Sequence, residues 1–285
     1  MKRSIAVVGG DRRQVHLARL LMEDGWPVTT WGQEKGEAPN AVPLQAALTA
    51  EIILLPLPVC RGGKLNLPLT DTQLEPKELW SRLHYDQLLL GGMTGELPKA
   101  LLLHYGLTLL DYYQREEVQL ANAVPTAEGA IQRAMETTDT TIHASRCLVV
   151  GYGRIGKILA HRLKALGAEV AVSARKYSDM AFIEAFGYRA LETEKLSGYL
   201  GDFDLIFNTV PSPVLDGPLL AQTKDSCVLL ELASAPGGIH RTAAEKLGRR
   251  LVEAPGLPGV VAPRTAAAAI RDSIYHILEE RGELF

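Results

Sequence analysis

Apolar and polar positions switch between two periods along most of the chain. Short apolar runs with β character are separated by stretches with helical spacing. The runs are SIAVVGG (4–10), PVTTWG (27–32), EIILLPLP (51–58), DQLLLGG (86–92) and LTLLDYY (107–113); the helical stretches include RQVHLARLLMEDG (13–25), LQAALTA (44–50) and LPKALLLHYG (97–106). Strands alternating with helices imply βαβ units and a parallel sheet. The rhythm breaks over 115–138, where helix character begins at Thr126 with Gly129 as its weak position, and this segment reads as a connecting helix. It restarts at Arg146 with five candidate strands, CLVVG, EVAVSAR, DLIFNTV, CVLLELAS and RLVEAPG. The chain then ends in one amphipathic helix starting near Arg264.

This pattern predicts an α/β protein with two Rossmann-like doubly wound domains. An N-terminal α/β substrate domain would cover 1–118 and a bridging helix 119–140. A nucleotide-binding Rossmann domain would cover 141–264, and a C-terminal helix, 265–285, would pack back on the bridge or on the first domain. Length agrees, since 285 residues make one large domain or two ordinary ones.

Composition narrows the function classes. A net charge of −3 and the lack of a dense Lys/Arg tract give no electrostatic reason to expect nucleic acid or an anionic membrane. The cysteines, Cys60, Cys147 and Cys227, are scattered and odd in number. They read as reduced thiols of a cytoplasmic protein, with no disulfide frame and no metal site. The apolar run after MKRS is too short for a secretory signal, and no run reaches the roughly 20 apolar residues of a membrane helix.

Gly151-Tyr152-Gly153-Arg154-Ile155-Gly156 is the strongest chemical signal. The hexapeptide follows the strand CLVV, opens the helix KILAHRLKALG and is followed by a second strand, which is the setting a G-x-G-x-x-G dinucleotide fingerprint requires. Gly151 would permit the tight turn, Gly153 the approach of pyrophosphate, and Gly156 close packing of helix on strand, with the helix N-terminus facing the phosphates. About 20 residues past the turn, an acidic residue would favour NAD. Counting from Gly153 gives Ser173, followed by Arg175 and Lys176 and no acid before Asp179. A hydroxyl and two cations suit a 2′-phosphate, so NADP is expected over NAD. Ligands of open α/β sheets sit at the carboxyl ends of strands. The loops NTVPSP, LASAPGG and EAPGLPGVVAP should therefore line the same crevice, placing Thr209, Val210, Pro211, Ala233, Pro255, Gly256 and Pro258 near the cofactor, the last loop being rigid.

A second glycine turn, VVGGDRRQ, lacks that spacing, since no third glycine follows until Gly25. It suits a smaller anion at a helix N-terminus, assisted by Arg12 or Arg13, or else a plain tight turn with surface arginines. GGM at 91–93 is a further backbone-exposed turn that could face the same cleft, so Gly10 and Gly92 are substrate-site candidates.

Taken in order, GGDRRQ, NAVPTAEGAI, TIHASRCLVVGYGRIG, VAVSARK, FNTVPS, ELASAPGG and APGLPGVVAPRTA resemble the A subunits of dipicolinate synthases, over nearly the whole chain. The resemblance implies oxidation of a dihydrodipicolinate-type ring to pyridine-2,6-dicarboxylate with a nicotinamide cofactor, in spore formation, together with a flavoprotein-like B subunit. The family pattern has a small residue at the place of Arg12, which moves the anion-binding expectation to Arg13. The substrate would be a small dicarboxylate in the cleft between domains, bordered by Thr126 and Glu128. Glu128 suits either a general base or an acid that favours the helix N-terminus. Homo-oligomerisation stays open. Two alternatives stand beside this reading. A 2-hydroxy-acid-dehydrogenase-like enzyme would need a histidine where this chain has EAPGLPGVVAP, and a non-catalytic NADP sensor would need no acid–base pair.

Overall fold

The computed structural model describes residues 2–97 and 99–284. It divides into two compact units, Met1–Asn122 with Pro258–Phe285, and Ala123–Leu257.

The first unit is built on five parallel strands, β1 (Ile5–Val8), β2 (Val28–Trp31), β3 (Ile52–Leu54), β4 (Leu88–Gly91) and β5 (Leu109–Asp111), in the order β2-β1-β3-β4-β5. Side chains alternate across a strand, and both faces of this sheet are covered. Ile5, Val7 and Leu54 join one core with Leu17 and Leu21 of helix α1 (Arg12–Glu23). Ala6, Val8 and Ile53 join another with Leu79, Trp80 and Leu89. Burial on both faces is why these strands read as unbroken apolar runs. The Pro/Gly-rich loop after β3 carries a small antiparallel hairpin, Cys60–Arg61 with Lys64–Leu65.

Helix α2 (Glu116–Thr137) is the connecting segment. It starts ten residues before Thr126, because Pro125 lies inside the helix and does not begin or end it. A proline removes one intrahelical bond, and here the surrounding packing holds the helix through it: Ala123, Pro125, Thr126 and Ala127 are all buried.

The second unit holds six parallel strands, β6 (Arg146–Val150), β7 (Glu169–Ala174), β8 (Arg189–Glu192), β9 (Leu205–Asn208), β10 (Val228–Glu231) and β11 (Arg250–Glu253). Their order is β8-β7-β6-β9-β10-β11. Counted within the unit this is 3-2-1-4-5-6, the order of dinucleotide-binding folds, with the strand order reversing beside β6. Helix α3 (Arg154–Ala165) joins β6 to β7 and buries Leu159, Ala160 and Leu163. The sequence pattern shows five of the six strands. β8 is an edge strand reading RALE, with three of its four positions exposed or half-buried, so it carries no apolar run.

EAPGLPGVVAP, expected to be a rigid loop, is partly helical. It contains a short helix, Leu257–Val261, and its second half, from Pro258, belongs to the first unit. From there α4 (Pro263–Glu280) packs along α1, burying Ala267, Ile270, Ile274 and Leu278 in the core that holds Ile5 and Val7. At its far end Arg115 forms a two-pronged bond to Glu280, at 2.8 and 2.9 Å. The C-terminal helix is thus part of the first unit's core. Ile274→Ala, at a fully buried position, is expected to lower that unit's stability by about 2–5 kcal/mol in urea denaturation.

Candidate functional site

The Gly151 turn begins where β6 ends. The Gly151 N–H donates to Ser173 O at 3.0 Å, while the Thr209 N–H and Oγ1–H both donate to Val150 O at 2.9 Å. This ties the turn to the ends of β7 and β9. Gly151 has φ +100°, and a Cβ there would lie 2.6 Å from Thr209 Oγ1 and 2.8 Å from Val210 Cγ2. A Cβ on Gly156 would lie 2.1 Å from the carbonyl oxygen of Gly151. Those two glycines are required by the fold itself. Gly153 is different, because a Cβ added there meets nothing within 4 Å. It is the N-cap of α3, offers no side-chain cap, and is followed by no acidic residue in the first turn. The first N–H groups of this helix thus have no side-chain cap at Gly153 and no acidic residue in their own turn, so their positive dipole end is not offset there. Arg154 is exposed, Tyr152 and Ile155 are half-buried, and Lys157 stands 5.1 Å from the centre of the Tyr152 ring.

Selectivity at the end of β7 differs from the expectation in one residue. Ser173 is fully buried and accepts a hydrogen bond from Thr193 Oγ1 at 3.2 Å, so its hydroxyl is not at the rim. Counting along the chain does not say which face of a strand a residue occupies. Arg175 and Lys176, just past the strand end, are exposed and have no carboxylate partner among the described residues. Thr209, Val210 and Ala233 are half-buried and Pro211, Pro255 and Gly256 exposed, while Pro258 lies buried in the first unit.

The Gly9 turn is closed. Its Gly9 N–H donates to Trp31 O at 2.7 Å and its Gly10 N–H to Asn66 O at 2.9 Å. A Cβ on Gly9 would lie 2.2 Å from Leu67 Cδ2. The helix start is capped from within, since Asp11 accepts from the Arg13 N–H and Gln14 Oε1 accepts from the Asp11 N–H. Arg13 is 5% exposed and bonds Asp11 through Nε and Nη2 at 2.9 and 2.8 Å, and Leu57 O through Nη2. Burial opposes its charge, but the bonds to Asp11 outweigh it and raise its pKa. Arg13 is therefore a structural cation already neutralised, contrary to its expected role. Gly92 also differs from expectation: a Cβ there would meet Leu57 Cδ1 at 2.5 Å and Tyr112 Cε2 at 2.7 Å. Among the described residues near α1, Arg12, Arg19 and Arg264 have no carboxylate partner, Arg19 bonding only the Glu37 carbonyl. All three are exposed, and, after burial, they lower the pKa of His16.

Glu128 is exposed on α2 and pairs with Arg162 of α3 at 3.1 Å, so it is not desolvated. Thr126 is buried on the same helix. Burial pushes the Cys147 thiol up to about 11 and the Cys227 thiol up to about 12, so neither offers a thiolate near neutral pH. Among the described residues no His, Cys, Asp and Glu group could hold a metal, and no helix is long and apolar enough to cross a membrane.

Two residues that the sequence reading passes over are prominent. Asn208 and Glu231 close β9 and β10 and stand side by side in the sheet register. The Asn208 amide donates to Glu231 Oε1 at 2.7 Å. A polar residue ending an otherwise apolar run was the available signal at both positions.

Residues 4–113 match the family model for the N-terminal domain of the dipicolinate synthase A subunit, and residues 111–236 the one for the D-isomer specific 2-hydroxyacid dehydrogenase NAD binding domain. The dipicolinate synthase A subunit of Bacillus subtilis (strain 168) is 31% identical over 291 residues, covering 97% of this chain and 96% of that protein. The chain belongs to the family of dipicolinate synthase A subunits. The crystal structure of the family's Bacillus halodurans member superposes with a TM-score of 0.87 at 29% identity, covering 97% of each chain. That of the Bacillus subtilis member gives 0.84 at 30% identity, covering 98% of this chain and 97% of that one. The second unit of this dipicolinate synthase family member is thus a dehydrogenase-type Rossmann domain suited to a nicotinamide cofactor.

The glycines separate by substitution. Gly156→Ala is expected to destabilise the second unit by about 2 kcal/mol or more, because its methyl must displace backbone. Gly153→Val is expected to change stability by less than about 1 kcal/mol yet abolish dinucleotide binding. Thermal melts with and without NADPH distinguish the two.

Proposed function

We propose that the chain is the nicotinamide-dependent component of a dipicolinate-forming enzyme, removing hydride from a dihydrodipicolinate-type ring with NADP as acceptor. The observation that carries this reading is the open face of Gly153 between two glycines required by packing. The glycine turn and the start of α3 would hold the pyrophosphate, and Arg175 and Lys176 the adenosine 2′-phosphate. When bound, the nicotinamide supplies the hydride acceptor at C4. Thr209, Val210 and Ala233, at the ends of β9 and β10, would face the ring end of the dinucleotide. Because Arg13 is neutralised by Asp11, the exposed Arg264 is the better candidate for a substrate carboxylate. The proton lost from the ring passes to water, and aromaticity drives the step.

The Bacillus subtilis relative is one of the components of its synthase, which supports a second, different chain as partner in turnover. A nucleotide sensor without chemistry of its own is the second reading, favoured by the commitment of both Arg13 and Glu128 to ion pairs. Turnover of dihydrodipicolinate by the purified chain, alone or with a B-type partner, separates the two; tight NADPH binding with no turnover in either case selects the sensor.

Cofactor choice is tested at Arg175. Arg175→Ala is expected to weaken NADPH about ten-fold or more in a fluorescence titration, since charge-assisted bonds to phosphate are lost, and NADH by less than about three-fold. Equal weakening of both would remove the 2′-phosphate assignment.

A further inference from the structure

We propose that Glu231, gripped by Asn208, is the positioning residue for the nicotinamide half of the site, an inference that rests on the nucleotide reading above. The Glu231 carboxylate is surrounded by donors. Oε1 accepts from Asn208 Nδ2 at 2.7 Å and the Ala233 N–H at 3.0 Å, and Oε2 accepts from the Gly238 and Ile239 N–H groups at 2.9 Å each. Among the described residues no Lys or Arg pairs with it, so these four N–H groups balance its charge.

From this grip, neighbouring contacts lead to the cofactor turn. Asn208 Nδ2 also donates to Val210 O at 2.9 Å, and Asn208 Oδ1 accepts from the Val210 N–H at 3.2 Å. Val210 Cγ2 and Thr209 Oγ1 in turn lie against Gly151. On the far side, Gly238 leaves no room for a methyl, which would lie 2.5 Å from Asn208 Nδ2 and 2.7 Å from Val210 O. The loops after β9 and β10 are thus fastened to each other by one carboxylate and one amide, while Thr209 and Val210 pack on the glycine turn.

Their place in the sheet says what they would serve. β9 and β10 are the fourth and fifth strands of a 3-2-1-4-5-6 sheet and belong to its second mononucleotide half. The adenosine half lies with β6, β7 and Arg175. Glu231 therefore orders the half that would receive the ring, without facing the adenosine phosphates. A glutamine keeps the shape but puts an N–H₂ where the carboxylate accepts two donors, so one pair of bonds is lost and replaced by opposed N–H groups.

The experiment measures the full chain against two ligands, NADPH and adenosine 2′,5′-bisphosphate, which lacks the nicotinamide half. Glu231→Gln is expected to weaken NADPH about ten-fold or more while leaving the bisphosphate within about two-fold of wild type. Asn208→Ala leaves the carboxylate its three backbone donors, keeps the test alive if the first variant fails to fold, and should show the same selective loss. Equal weakening of both ligands, or no change in either, would show that the pair is only a structural clasp and overturn the proposal. A wild-type chain that binds neither ligand would overturn the nucleotide reading itself, and this inference with it.

Discussion

In the second unit α3 approaches the end of β6 so closely that a Cβ on Gly156 would lie 2.1 Å from the Gly151 carbonyl oxygen. This contact draws the helix N-terminus down over the strand end. It also leaves Gly153 at the lip of the turn, where an added Cβ meets nothing within 4 Å. The same compression sets Thr209 and Val210 against Gly151, so the fourth strand's loop is positioned by the first strand's turn. The close packing here has one cause, the missing side chains of Gly151 and Gly156.

The first unit shows the opposite outcome from a similar beginning. Its Gly9–Gly10 turn also joins a strand to a helix, but the backbone donors are taken by Trp31 and Asn66, and Leu67 covers the glycine. Asp11 and Gln14 cap the helix reciprocally, a capping box that satisfies the donors an anion would need. Arg13 then folds back on Asp11 and stays buried. A helix N-terminus becomes an anion site only where the chain leaves it uncapped.

Charge placement follows the same logic. A guanidinium or carboxylate acts on a ligand when it is not already matched, and the nearest opposite charge decides that. Glu128 is matched by Arg162, Arg115 by Glu280 and Glu117, and Glu231 by four N–H donors. Arg175 and Lys176 have no such match among the described residues and follow directly on the strand that flanks the glycine turn.

The sequence by itself determined the alternation of strands and helices, the two parallel sheets and the glycine fingerprint, because these depend on local period and spacing. It also carried the family resemblance along almost its whole length. It missed β8, whose edge position removes the apolar signal, and it placed the start of α2 later than Glu116, with helix character only from Thr126, whereas buried neighbours hold the helix through Pro125. Only the tertiary structure decided which candidates were free. Ser173 and Arg175 are two residues apart, yet the first is buried and the second exposed. Asn208 and Glu231 are 23 residues apart, yet adjacent in register. Partnership of polar groups is set by which strands lie side by side and which face a side chain takes, and neither is written in local spacing.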